Sequence, residues 1–165
     1  MSKLYKEAES KSSVSDILKR PFPDFFYRGL SSSNCFTNEG YVSPEAFSFK
    51  PNTTEVRADS FNEASINWED DVGALSTLLS QINTRNGELQ FKFGYVRMPL
   101  IEMLPLVRSH MQKKHFGYER RPIEGNPYHG NLLIDSRLKG VDERLIKSGL
   151  ALVANAYVTR LDTQE

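Results

Sequence analysis

A chain of 165 residues that is 39% hydrophobic and 11% aromatic carries enough apolar material for one domain-sized core, and too much for wholesale disorder. Lys plus Arg equals Asp plus Glu at 21 each, which argues against bulk attraction to DNA, RNA or an anionic membrane but permits a local basic patch. With one cysteine, Cys35, and three histidines, the composition excludes a disulfide framework and a Cys-rich zinc site.

The opening MSKLYKEAESKSS lacks the apolar core of a signal peptide, and no apolar run approaches the ~18 residues of a membrane span, so the expected setting is cytoplasmic. Residues 1–12 read as a polar tail and residues 13–165 as one α+β domain. Ser13 or Ser15 is placed to cap a short helix, with Asp16 in its first turn, and Pro21 and Pro23 end it because neither can donate the next helical hydrogen bond.

Phe25 to Leu30 is short and aromatic, as a buried strand would be. Ser31, Ser32, Ser33 and Asn34 form a turn cluster, and Asn38-Glu39-Gly40 places Tyr41-Val42 at the head of an extended segment. Ala46-Phe47-Ser48-Phe49 alternates as a half-buried strand does, and residues 51–63 read as a long loop. Ala64 to Trp68 is a further strand candidate.

Val72, Leu75, Leu78, Leu79 and Ile82 recur at helical spacing behind Glu69, Asp70 and Asp71, which predicts a helix over 70–84 ended by Asn86-Gly87. Leu89, Phe91, Phe93 and Tyr95 alternate as one face of a strand. Pro99 to Met111 reads as a short or broken helix, because Pro105 interrupts it. Asn131 to Ile134 is a strand behind the Asn126-Pro127-Tyr128-His129-Gly130 turn. Leu145, Ile146, Leu150, Val153, Ala156 and Tyr157 supply the stripe of a second helix, 142–161. The order has no βαβ alternation, so the expected fold is α+β, a mixed or antiparallel sheet with two main helices packed on it.

The phosphate-cradling glycine loops, H-E-x-x-H, G-x-S-x-G and EF-hand signatures are all missing. Three polar spots remain. Arg28, in an otherwise apolar strand, suits an anion anchor, or an arginine that reaches solvent or pairs with an acid. Ser65, Asn67 and Trp68 gather polar chemistry beside a helix start, or simply cap and pack it. His129, in a turn-rich loop, suits an acid/base or ligand contact, or a turn histidine bonded to nearby backbone. Lys113, Lys114, Arg120 and Arg121, interleaved with Phe116 and Tyr118, have the composition of a single-stranded nucleic-acid surface, or of a solvated hairpin.

The series Tyr27-Arg28-Gly29, Phe36, Gly40-Tyr41-Val42, Ala46-Phe47, Ser65-Ile66-Asn67 and Asn126-Pro127-Tyr128-His129-Gly130 resembles a family of small uncharacterised bacterial proteins over roughly residues 25–134. Tyr27-Arg28-Gly29, Gly40 and Ala46-Phe47-Ser48 also resemble, more weakly, the aromatic-Arg-Gly strand, glycine turn and Ala-Phe strand of ADP-ribosyltransferases. That resemblance implies an Ala46-Phe47 strand and an Arg28 that anchors NAD phosphates. The family's Ser-Thr-Ser run is Ser48-Phe49-Lys50 here, and no Glu-x-Glu or Gln-x-Glu pair follows.

Three functions are expected from these features. The first is a small cytoplasmic binding or interaction domain with no cofactor, acting with a protein partner or as a homo-oligomer. The second is an enzyme or toxin-like domain handling NAD or another phosphorylated ligand, with Arg28 as anchor, His129 as acid/base and Ser65, Asn67 and Trp68 lining the pocket. It requires those segments to converge on one cleft. The third is nucleic-acid binding through residues 113–121.

Overall fold

The computed structural model describes residues 17–51, 61–103, 105, 116–138 and 140–161. Ser13, Ser15, Asp16, Lys113 and Lys114 lie outside the described residues, as does most of the broken helix expected after Pro99, whose first residues, 100–103, are helical. The chain is α+β: a six-stranded sheet in which every pairing is antiparallel, in the order β4-β5-β2-β1-β3-β6. The strands are β1 (Phe25–Leu30), β2 (Phe61–Trp68), β3 (Gly94–Pro99), β4 (Phe116–Arg120), β5 (His129–Asp135) and β6 (Val158–Arg160). Among the described residues, the helices α1 (Gly73–Leu79) and α2 (Val141–Ala154) pack on it.

Alternation along the strands sorts side chains to two faces. Phe26 and Leu30 of β1, Ala64, Ile66 and Trp68 of β2, Val96 and Met98 of β3 and Leu132 and Ile134 of β5 form the main core with Ile146, Leu150, Ala151 and Ala154 of α2. On the other face Tyr27 packs with Ala74 and Leu78 of α1, and Phe91, Tyr95 and Tyr128 close over them. Trp68 sits in the main core with its indole N–H donated to the Glu119 carbonyl at 3.0 Å. Only glycine fits beneath it: a Cβ on Gly130 would lie 2.3 Å from the indole nitrogen and 2.4 Å from that carbonyl.

Several elements differ from the sequence expectation. Ala46-Phe47 lies in a 3-10 helix, Pro44–Phe47, because Ser43 caps Glu45 through its hydroxyl and Pro44 fixes a helical φ at the first position. The strand implied by the ADP-ribosyltransferase resemblance is therefore absent there. α1 begins only at Gly73, because its three acids are engaged individually. Arg97 takes both oxygens of Glu69, Arg120 takes both of Asp70, and Asp71 accepts the Gly73 N–H and the Tyr128 hydroxyl. The helix ends at Leu79, and Asn83 then organises a turn rather than a further helical turn. Residues 91–93 are turn, so the strand begins at Gly94. α2 ends at Ala154, Asn155 turns its amide back to the Ala151 carbonyl, and the chain returns as β6 along β3.

One pairing governs the shape of the sheet. β1 and β2 are bonded only at Phe26↔Trp68 and Tyr27↔Asn67. Beyond that point β1 stays with β3 as far as Leu30↔Gly94, while β2 stays with β5 as far as Phe61↔Asp135. The sheet thus forks. Lys50 fills part of the gap by pairing its backbone with that of Glu63.

The unforked end is held by Arg120 and Asp70, whose side chains are 5% and 3% exposed and 2.7 Å apart. Arg120 also donates to the Pro21 carbonyl and lies over the Phe22 ring. Arg120→Met should destabilise the fold by about 3–5 kcal/mol, because it strands a buried carboxylate. Pairing it with Asp70→Leu should recover most of that loss in equilibrium denaturation. A double variant no more stable than the single would show that the ion pair is not what holds this end.

Candidate functional site

The fork opens into a cleft of about 630 Å³. One side is built from Arg28, the Ser31–Cys35 turn and the carboxyl end of the 3-10 helix; the other from Glu63 and Ser65 of β2, His129 of β5, and Arg121 and Ile123 beyond β4. Gln90 and Phe91 form the wall on the α1 side. Phe91 comes this close because residue 29 is glycine: a Cβ there would fall 2.3 Å from the ring.

Arg28 is the group the fork exposes. Nε donates to the Ala46 carbonyl at 3.0 Å and Nη1 to the Ser65 carbonyl at 2.7 Å. The second bond replaces the strand partner that β2 loses when β1 diverges, so the Ser65 carbonyl keeps a donor. A guanidinium has five N–H donors; with these two committed, three remain, and among the described residues no carboxylate is paired with it. Burial lowers its pKa to about 10, so it remains cationic at neutral pH.

His129 stands across β2 from it. The ring nitrogen Nδ1 lies 2.7 Å from the Arg121 carbonyl, which only accepts, so Nδ1 carries the proton. In the neutral ring Nε2 then holds a lone pair. Burial, the largest influence, pushes the imidazole below its usual pKa, opposed by the carbonyl bond and by the carboxylates of Glu63 and Glu119. At neutral pH His129 therefore presents an acceptor.

By alternation Arg28 leans to the main-core side of the sheet, whereas His129 and Ser65 lie on the α1 side. They share a cleft only because the sheet is split between them. Ser65 is exposed on the intervening strand, its carbonyl held by Arg28 and its side chain toward the cleft.

The other expected site residues are placed elsewhere. Asn67 is 1% exposed beneath the cleft: Nδ2 donates to the Ala74 carbonyl at 3.1 Å, and Oδ1 accepts from Asn126 at 2.7 Å. It joins β2, α1 and the loop before β5. Trp68 points into the main core, because it follows Asn67 on an alternating strand. Arg120 is enclosed with Asp70, away from solvent. Arg121 lines the cleft, with its guanidinium 4.0 Å from Glu119. Lys50, Glu63, Gln90 and the Ser31–Cys35 turn also line the cleft, although none was among the expected site residues. Among the described residues no group of His, Cys, Asp and Glu is arranged to hold a metal ion, and no helix is long and apolar enough to cross a membrane.

Asn67→Ala should lower stability by about 2–3 kcal/mol, since it leaves the Ala74 carbonyl and the Asn126 amide buried without partners. Anion affinity in the cleft should be unchanged when both are measured on one preparation. A loss of affinity without loss of stability would place Asn67 in the site instead.

Comparison with family models, with curated proteins and with solved structures finds no match to this chain.

Proposed function

We propose that this chain is a small binding domain whose cleft takes an anionic, phosphorylated small molecule. The observation that carries this reading is Arg28. It is a cation without a carboxylate partner among the described residues, fixed by two backbone carbonyls and lining an open cleft with donors to spare. Arginine's planar fork suits phosphate and carboxylate oxygens, and holding it in place beforehand reduces the ordering lost on binding. The cleft is large enough for a ligand of metabolite size.

Titration calorimetry with inorganic phosphate tests this. The wild-type chain should bind it, and Arg28→Met should weaken binding by about tenfold to a hundredfold, the value of one or two charge-assisted hydrogen bonds. Arg28→Lys, which keeps the charge but loses the fork, should fall between them. Equal affinity in all three would dismiss the cleft as an anion site.

A second reading, that the domain works in the cytoplasm with a protein partner, draws on α2. Val141, Leu145 and Leu152 lie along one stripe of that helix and are 62%, 56% and 76% exposed. A stripe of this kind is what a partner's apolar surface covers. Replacing Leu145 and Leu152 by Glu should release a partner that co-purifies with the wild-type chain and leave phosphate affinity intact. Co-purification that survives both changes would end this reading.

A further inference from the structure

The two ends of the cleft differ in hydrogen-bonding character. At the Arg28 end the guanidinium offers donors only, as every arginine does. At the far end His129 offers Nε2 as an acceptor, because the Arg121 carbonyl has claimed the proton at Nδ1. The Glu63 carboxylate lines the cleft on the other side of Ser65 from His129, yet still acts on the charge of His129. A simple anion satisfies the first end and leaves the second unmatched, and a buried acceptor without a donor is costly.

The separation can be set from the sheet. The Ser65 carbonyl marks the Arg28 end, and His129 is paired with Asn67, two residues along and one strand across. With a rise of about 3.3 Å per residue and strands about 4.8 Å apart, that is on the order of 8 Å. This is the separation of backbone positions, from which the two side chains lean to opposite faces of the sheet. It matches the span from a phosphate to a hydroxyl on the far side of a sugar ring.

Building on the anion-binding reading above, we infer that the ligand is a polyhydroxylated phosphate monoester of sugar-phosphate type, its phosphate on Arg28 and a hydroxyl donated to His129 Nε2. The charged groups facing His129 are Glu63 from β2, Glu119 from β4 and Arg121 beyond it. As pH falls through the pKa of His129, which lies below the usual 6.5 or so, the ring gains a proton at Nε2 and ceases to accept. Preference for the hydroxylated ligand is therefore full near neutrality and declines with acidification.

Calorimetry on the full chain with glucose 6-phosphate, cyclohexylmethyl phosphate (the same outline without hydroxyls) and inorganic phosphate separates the possibilities. At pH 7.5 glucose 6-phosphate should bind at least about tenfold more tightly than the cyclohexyl ester, and the ratio should shrink as the pH is lowered. His129→Asn keeps an N–H for the Arg121 carbonyl but removes Nε2, and the shorter side chain holds its own oxygen back from that position. With an unchanged thermal midpoint, it should bring the two esters within about threefold of each other and leave inorganic phosphate binding as it was. If the two esters bind the wild-type chain equally, or if the preference persists in His129→Asn, the inference falls while the anion site stands. If none of the three probes binds, both fall together.

Discussion

The hydrogen bond from Arg28 to the Ser65 carbonyl is the contact on which the cleft depends. A β-strand cannot abandon its neighbour without leaving backbone groups unpaired. β2 is parted from β1 over the residues before Asn67, because β1 turns away with β3 after Tyr27. Two substitutes make the separation tolerable: the backbone of Lys50 pairs with Glu63, and the guanidinium of Arg28 reaches across to Ser65. The same side chain that closes the ladder electrostatically leaves the sheet physically open, and a cationic group ends up at the mouth of the opening.

This dual role accounts for an Arg28 that, among the described residues, is paired with no carboxylate. A buried arginine is usually stabilised by a carboxylate; here two peptide carbonyls serve, and they satisfy hydrogen bonds without cancelling charge. The net positive charge remains for something else to use. The opposite end of the molecule shows the alternative. Arg120 and Arg97 are each paired with a carboxylate, Asp70 and Glu69, and Glu69 is also hydrogen-bonded by Tyr27, whose hydroxyl pKa is pushed up to about 12, chiefly by burial. Those arginines tie neighbouring segments together through carboxylates.

His129 gains its character in a comparable way, from backbone rather than from another side chain. The Arg121 carbonyl fixes the tautomer, and burial keeps the ring neutral. Two segments far apart in the chain therefore supply complementary halves of one cleft, a donor end and an acceptor end, and neither half is made by a dedicated acid–base pair.

Much of the architecture was legible in residue pattern, because burial imposes periodicity. The aromatic run at Phe25–Leu30, the alternation at Ala64–Trp68 and the apolar stripe of α2 each mark an element that buries one face. Pattern fails where local capping competes with it. Ser43 and Pro44 turn the alternating Ala46–Phe49 into a 3-10 helix, and the partners of Glu69, Asp70 and Asp71 hold back the start of α1.

The same division holds at the site. Arg28 in an apolar strand and His129 in a turn are visible as anomalies in the sequence alone, because a polar group among apolar neighbours must be matched by something. Which anomalies are occupied was a tertiary matter. Asn67 looked like the others, yet α1 and Asn126 consume it; Arg120 looked like Arg121, yet Asp70 encloses it. Sequence determined that this chain folds as an α+β domain with unmatched polar groups. Only the fold decided that Arg28 and His129 face one space, since that depends on where β1 parts from β2, and strand separation is set by pairing between residues distant in the chain.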